Sequence, residues 1–442
     1  NVRFQRDQVR ILREHCPSHF ITHNFMGLFP EIDYFDLAED LDFVSLDNYP
    51  VWGAPEIPYG AAMAADLMRG LKRKNFWIME QTAGPPGGYA FGRNPRPGEI
   101  RKIAYQQLAH GCDGQVWFRW RTCTTGREQY WHGLLGHDGK PLRRYREAAR
   151  TAGEYRKLEK LLAGTTVKPQ VAAIYDYDSL WATRISPGFA ANDTRKAIQR
   201  YYNALQRNGV NLDLIPTSAD FSQYKLLLAP NLHVLPDDVA DRLVQYVDAG
   251  GVLLTDCRTG VKDQTNLCHE RTLPGKLAPA LGIRIEEYES LADTMEYPFA
   301  GTGELAGDFT AVQYVDWTTA PRARPQAVHK QRHLADTPAV TRNRRGKGIG
   351  WYVGVIAREE SFYDQLAARL LADAGVEPIL APPPGVEVSL RENDTTRLLF
   401  LLNHTEDPKT VEVPAGQKEL LTGRKTGESI ELAAVVGADL EV

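Results

Sequence analysis

Glu80 stands near the end of an apolar run, Asn75 to Thr82 (NFWIMEQT). An acid closing a buried strand is costly to keep unless water, a cation or a reaction makes use of it. In parallel α/β architectures the carboxyl ends of strands face the ligand crevice, so this position suits nucleophilic or acid–base chemistry. Taken alone, the octapeptide is read more plainly as a strand-end glutamate that is solvated or paired with an arginine. Its surroundings favour chemistry, because three further strand-like runs also end in polar or aromatic groups: His23 with Asn24, Asp47 with Asn48 and Tyr49, and Arg119 with Trp120. Several strand ends carrying such groups point to one shared site.

The elements that must position these groups read as alternating strands and helices. HFITHNF (19–25), DFVSLDNY (42–49), NFWIMEQ (75–81) and DGQVWFRW (113–120) are strand-like. Between and around them lie helical patterns over 4–15, 31–40, 60–74, 98–110 and 142–162, and such alternation predicts a parallel sheet. The helix over 98–110 has a Pro-Gly entry and sets Ile103, Gln106, Gln107 and His110 along one face.

With these runs in place, THNFMG, DFVSLDNYP, FWIMEQT, PRPGEIR, VWFRWR and EQYWHG, in that order, resemble the β-galactosidases of glycoside hydrolase family 42. CRTGVKDQTNLCHE, LPGKLAPALGI and FLLNHTEDP resemble the later domains of the same family, so the likeness runs over essentially the whole chain. It implies that Glu80 is the nucleophile of a retaining hydrolase of terminal β-D-galactosides that needs no cofactor. It also implies that Glu128 binds galactose hydroxyls, that His132 assists it at a wider spacing than is usual, and that Phe118 forms a site wall. Tyr49 is expected to hydrogen-bond the nucleophile, and Tyr89, in PPGGYAFG, stands where the family often has a tryptophan. The plainer readings are an idle loop glutamate at 128, a core aromatic at 118 and a rim aromatic at 49.

The family fold is an eight-stranded β/α barrel, which takes ~250 residues. Only about four strand–helix units precede the next domain here, and the family's general acid/base, a Glu in an Asn-Glu-Tyr motif, has no counterpart in these 442 residues. The expectation is therefore the second half of a TIM barrel over 1–164, followed by an amidotransferase-like or flavodoxin-like trimerisation domain over 165–380 and a small antiparallel β domain over 381–442. Such a carboxyl-terminal portion would be inactive by itself, with an open strand edge that favours association. A non-catalytic trimerisation or carbohydrate-binding fragment is the first alternative.

The second alternative is an amidotransferase-like enzyme acting through Cys257, which follows a buried strand. A nucleophile elbow needs glycines on both sides, and TDCRTG offers only Gly260. In this domain 171–178, 211–215, 224–230, 250–256 and 348–356 read as strands, with helices over 194–208, 237–249 and 361–375. The stretch 260–345 reads as an irregular insertion with several short strands. Beyond Pro382 short strands dominate, and Asn403-His404 reads as turn material.

Composition agrees with a multidomain protein. With 43% hydrophobic and 24% charged residues, 442 residues supply about three domains with sizeable cores. A net charge of -4 gives no electrostatic reason to expect nucleic acid or an anionic membrane, and the basic run 342–348 (RNRRGKG) reads as a solvated turn. No apolar run approaches the ~20 residues of a membrane span. Five irregularly spaced cysteines favour a reducing compartment, hence the cytoplasm, while leaving room for a signal peptide ahead of Asn1. No Cys-x-x-Cys pair or helically spaced histidine pair suggests a metal.

Overall fold

Residues 1–50, 59–87, 92–187 and 192–434, with the backbone of 437–441, are described by a computed structural model. Tyr89 lies outside them. The chain divides into two compact units, one of residues 1–168, 209–211 and 378–442, the other of 169–208 and 212–377.

The first unit opens with α1 (Val2–His15), β1 (Asn24–Phe25), α2 (Tyr34–Ala38), β2 (Ser45–Asn48), α3 (Tyr59–Lys72), β3 (Phe76–Thr82), α4 (Glu99–Ala109), β4 (Cys112–Phe118) and α5 (Arg143–Leu162). The strands pair in parallel in chain order, β1-β2-β3-β4, so all their carboxyl ends lie on one edge. Local signals set the helices. Asp33 caps α2 by accepting from the amides of Phe35 and Asp36, and α4 starts at Gly98, whose φ of 89° suits glycine. The apolar face of α3, with Ala62, Met63, Leu67 and Met68 shut off from solvent, packs against β2 and the flanking helices α2 and α4. α4 differs from an ordinary surface helix, because every residue from Glu99 to Ala109 is buried. A helix buried all round must pair its polar groups internally.

The pairing comes from the carboxyl-terminal part of the same unit. There β16 (Val386–Glu392), β17 (Arg397–Asn403), β18 (Lys409–Glu412), β19 (Lys418–Glu419), β20 (Ser429–Leu432) and β21 (Gly437–Glu441) form an antiparallel sheet ordered β16-β17-β21-β19 and a β18-β20 ribbon. Glu387 of β16 accepts from His110 Nε2 at 2.6 Å, from His404 Nε2 at 2.7 Å and from Gln106 at 2.8 Å. His110 Nδ1 meets Asp66 of α3 at 2.7 Å, and Arg69 also donates to Asp66 at 2.5 Å. Both ring nitrogens of His110 face carboxylates, so both are donors and the ring is an imidazolium. Burial opposes that charge, yet Asp66 and then Glu387 outweigh it and raise the His110 pKa to about 9. His404 is thus a buried partner, and Asn403 donates to the carbonyls of Asp407 and Ala433. The pair is turn material as expected in that Asn403 Oδ1 accepts from the Thr405 amide, but both residues are buried.

The second unit contains β5 (Val171–Ile174), α6 (Tyr177–Ile185), α7 (Thr194–Arg207), β6 (Asp213–Ile215), β7 (Leu226–Ala229), α8 (Asp237–Ala249) and β8 (Val252–Asp256). It continues with α9 (Ala278–Leu281), β9 (Arg284–Ser290), β10 (Tyr297–Gly301), β11 (Asp308–Thr319), β12 (Arg324–His329), β13 (Pro338–Arg345), β14 (Gly348–Val353), β15 (Val355–Ala357) and α10 (Glu360–Ala374). The parallel strands run β6-β5-β7-β8-β14, a doubly wound order. The stretch 260–345 is not an irregular insertion. β10 to β13 pair antiparallel and join β14, which carries the same sheet to 11 strands. The run 342–348 is likewise more than a solvated turn: Arg342 belongs to β13 and forms a bidentate pair with Asp373 at 2.7 and 2.9 Å, while Arg345 pairs with Asp248. Among the described residues no helix is long and apolar enough to cross a membrane, and no cluster of three or more His, Cys, Asp or Glu side chains is arranged to hold a metal ion.

Candidate active site

The parallel register brings the polar strand ends together. Asp47 lies opposite Glu80, Asn48 opposite Gln81, and Gln81 and Thr82 lie opposite Trp117 and Phe118. The Tyr49 hydroxyl donates to Glu80 Oε2 at 2.8 Å. Asn24, at the end of β1, donates to Asp47 Oδ2 at 2.8 Å, and Asn48 donates to Gln81 Oε1 at 3.3 Å. Three consecutive strand ends are therefore linked by side-chain hydrogen bonds, Asn24 to Asp47 and Tyr49 to Glu80.

Two carboxyls on neighbouring strands cannot both ionise cheaply. Burial, and then the charge of Glu80, raise the Asp47 pKa to about 7. Burial also raises the Tyr49 phenol, followed by its bond to Glu80, so the tyrosine stays protonated and its hydroxyl remains a donor. Asp47 Oδ1, Gln81 Nε2 and Arg119 Nε are buried without a hydrogen-bond partner among the described residues. Unpaired polar atoms of this kind gather where a hydroxylated ligand would complete them.

Aromatic rings wall this cluster. Trp131 meets Tyr49 edge-on with centroids 4.7 Å apart, and Phe118 meets Trp131 at 5.9 Å and Tyr49 at 6.4 Å. The loop that brings Trp131 here folds back on the end of β4: the Leu134 amide donates to the Arg119 carbonyl at 2.7 Å. Gly133 makes the approach feasible, since a Cβ there would lie 2.5 Å from that same carbonyl oxygen.

Phe118 and Tyr49 thus stand beside Glu80. Glu128 is exposed and ion-paired with Arg119, whose guanidinium lies 4.8 Å over the Phe118 ring. His132 is anchored through its backbone amide to the Pro85 carbonyl, and burial, Arg144 and His137 lower its pKa, which leaves the imidazole neutral. Trp120, by contrast, is 62% exposed and outside the wall. Trp131 is the participant that the sequence reading passed over, and Asp47 was named there among the strand-end groups without a role of its own. The signal for Asp47 was its place in the same strand-end run as Tyr49, and for Trp131 its place directly before His132.

Cys257 does not have the character of a nucleophile. It is buried at the end of β8, and burial, with Asp256 and Asp316 nearby, raises its thiol pKa far above the ordinary value.

Three family models match the chain: a β-galactosidase domain over 1–158, a β-galactosidase trimerisation domain over 169–377 and a β-galactosidase C-terminal domain over 385–435. The first of these begins at residue 1, so the matches give no support to reading the chain as a carboxyl-terminal portion only. The chain is 33% identical to the β-galactosidase BgaA of Clostridium cellulovorans over 97% of its own length, and 35% identical to the β-galactosidase BgaH of Haloferax lucentense over 98%. It spans about 65% of the length of each. The crystal structure of a β-galactosidase from Bacillus circulans sp. alkalophilus matches 99% of the chain and 65% of that protein, with a TM-score of 0.94 at 32% identity.

Proposed function

The chain belongs, by its three matched domains, to the β-galactosidases of glycoside hydrolase family 42, and on that premise we propose that Glu80 is the nucleophile of a retaining β-D-galactosidase. The observation that carries the reading is the Tyr49–Glu80 hydrogen bond of 2.8 Å at the convergent strand ends. Tyr49 fixes Oε2 and so aims Oε1 at the anomeric carbon. Attack forms the glycosyl–carboxylate ester and expels the leaving group, and water then cleaves the ester with net retention. Asp47, neutral over much of the range below pH 7, adds little charge beside Glu80 and offers a carboxyl proton to a sugar hydroxyl.

The aromatic wall of Tyr49, Phe118 and Trp131 suits the apolar face of a pyranose. Glu128, steered by Arg119, accepts hydrogen bonds from neighbouring sugar hydroxyls, and neutral His132 supplies a further polar contact. Tyr89 is retained as a flanking aromatic on the family's pattern alone. No Asn-Glu-Tyr occurs in the sequence, so we assign this chain the nucleophile's half of the chemistry: displacement of leaving groups that depart without a proton. Ordinary galactosides need a proton donor besides. The domain division 1–164, 165–380 and 381–442 and assembly as a homotrimer belong to the same reading.

The test is hydrolysis of 2,4-dinitrophenyl β-D-galactoside, whose leaving group needs no protonation. Turnover by the chain, lost in Glu80→Gln, is the expected result. No turnover, with the sugar merely bound, would favour a non-catalytic carbohydrate-binding role.

A further inference from the structure

We propose that the second unit carries a binding site for a small molecule bearing a phosphate or carboxylate group, in a pocket of about 350 Å³ at the carboxyl ends of β7 and β8. This is the edge at which doubly wound sheets hold ligands, and the volume is that of a small-molecule site. The inference is independent of the reading of Glu80.

Charge points to an oxyanion. Lys196, Arg200, Arg258 and Lys262 line the pocket, in a chain whose net charge is -4. The carboxylates in the lining are already engaged: Asp193 caps α7 by accepting from the Lys196 amide, and Asp256 accepts from the Asn231 amide and the Tyr201 hydroxyl. The hydrogen bonds and ring contacts of Arg200, Lys262 and Arg258 go to neutral groups, while buried Asp256 and Asp316 act on Arg200 and Arg258 through their charge. Arg200 reaches Gln313 Oε1 at 3.5 Å, Lys262 reaches the Asn266 carbonyl at 3.1 Å, and Arg258 lies 4.4 Å over the ring of Tyr288. The Arg258 guanidinium lies against the Tyr288 and Tyr314 rings and interacts with the Tyr314 hydroxyl in the lining. A guanidinium held against an aromatic face presents several N–H donors at its edge and is a ready partner for a planar or tetrahedral oxyanion. The first turn of the 14-residue α7 adds its positive dipole end to the same wall.

The backbone is shaped around this pocket. Asn231, Arg258 and Gln313 adopt φ values of 48°, 69° and 62°, and all three line it, the first two from the segments after β7 and β8 and Gln313 from a bulge in β11. Non-glycine residues held in the left-handed region are strained and cluster at ligand sites. Substituted arginine and glutamine have no local hydrogen-bonding reason to choose that conformation, whereas asparagine does.

The purified full chain is titrated with inorganic phosphate and, separately, with citrate by calorimetry, at ionic strength matched with chloride. Saturable binding of one or both is expected, weakened at least about tenfold in Arg258→Gln and in Arg200→Gln. Binding of phosphate alone assigns a phosphorylated ligand, and binding of citrate alone a carboxylate. Arg200→Gln, on a helix surface, keeps the test sound if the strained Arg258 position does not tolerate exchange. Absence of saturation by either anion up to about 10 mM, or wild-type affinity in Arg200→Gln, would overturn the proposal.

Discussion

At the residue scale the site reduces to one carboxylate and the groups that orient it. Glu80→Gln keeps the shape but cannot form a glycosyl ester, so turnover should fall by at least about three orders of magnitude with an unchanged melting curve. Tyr49→Phe removes a hydrogen bond to a charged group, about 1.5–3 kcal/mol, and should slow the reaction by roughly one to two powers of ten. Initial rates on an activated aryl galactoside measure both. Asp47 makes a prediction of the opposite kind. Its folded pKa of about 7 lies above the ordinary 3.8, so the folded state holds a proton that the unfolded chain releases. Its stabilisation is complete below 3.8 and is lost as pH rises through about 7, and Asp47→Asn should flatten the decline of Tm over that window. Glu80 was legible in the sequence because an acid ended an otherwise apolar run. Asp47 was visible but its pairing was not, since only the parallel register sets it opposite Glu80. Trp131 was hidden because its place depends on a loop turning back at Gly133, and no periodicity reports that.

At the scale of elements, α4 and β16 are joined by the Asp66–His110–Glu387–His404 network. Helix α4 was legible from its entry and spacing, but its burial on every side was not, because the partner residue Glu387 lies 277 positions from His110. Breaking a fully buried charged network by removing one partner costs about 3–5 kcal/mol, and Glu387→Gln should lower the urea-unfolding free energy of the full chain by that order. His110, raised to about 9, stabilises fully below 6.5 and loses its contribution as pH rises through about 9. Glu387 is held well below its ordinary 4.5 by its histidine partners despite burial, so its contribution is present above 4.5 and fades as pH falls beneath it. The difference between wild type and Glu387→Gln should therefore be widest between 4.5 and 6.5 and shrink on both sides. A difference that is flat with pH would mean that the network is neutral. The sequence reading expected several short strands in 260–345 but missed, for a related reason, that they continue one sheet. In β11 the register shifts between Val312 and Val315, where Gln313 takes a φ of 62°, and such a bulge destroys the two-residue alternation that marks a strand.

At the scale of the molecule, the family resemblance was the most legible property, because motifs from THNFMG to FLLNHTEDP follow one order along the chain and three family models match it in turn. The match of a trimerisation-domain model to 169–377 favours assembly. Sedimentation velocity of the full chain at micromolar concentration should give a species near three times the 49.5 kDa of one copy. A persistent monomer would contradict this. Each unit has its own core: Val386, Val388, Leu399 and Leu401 form part of one in the first unit, and Leu227, Leu243 and Leu253 part of another in the second.

The most direct test of Glu80 as nucleophile is covalent trapping. The chain is incubated with 2,4-dinitrophenyl 2-deoxy-2-fluoro-β-D-galactoside, in which the fluorine slows hydrolysis of the ester and the leaving group needs no acid, and the digested protein is analysed by mass spectrometry. The account predicts one galactosyl adduct, carried by the peptide of β3 and located on Glu80, and none in Glu80→Gln. An adduct on another carboxylate, Asp47 or Glu128 included, or no adduct at all, would contradict it.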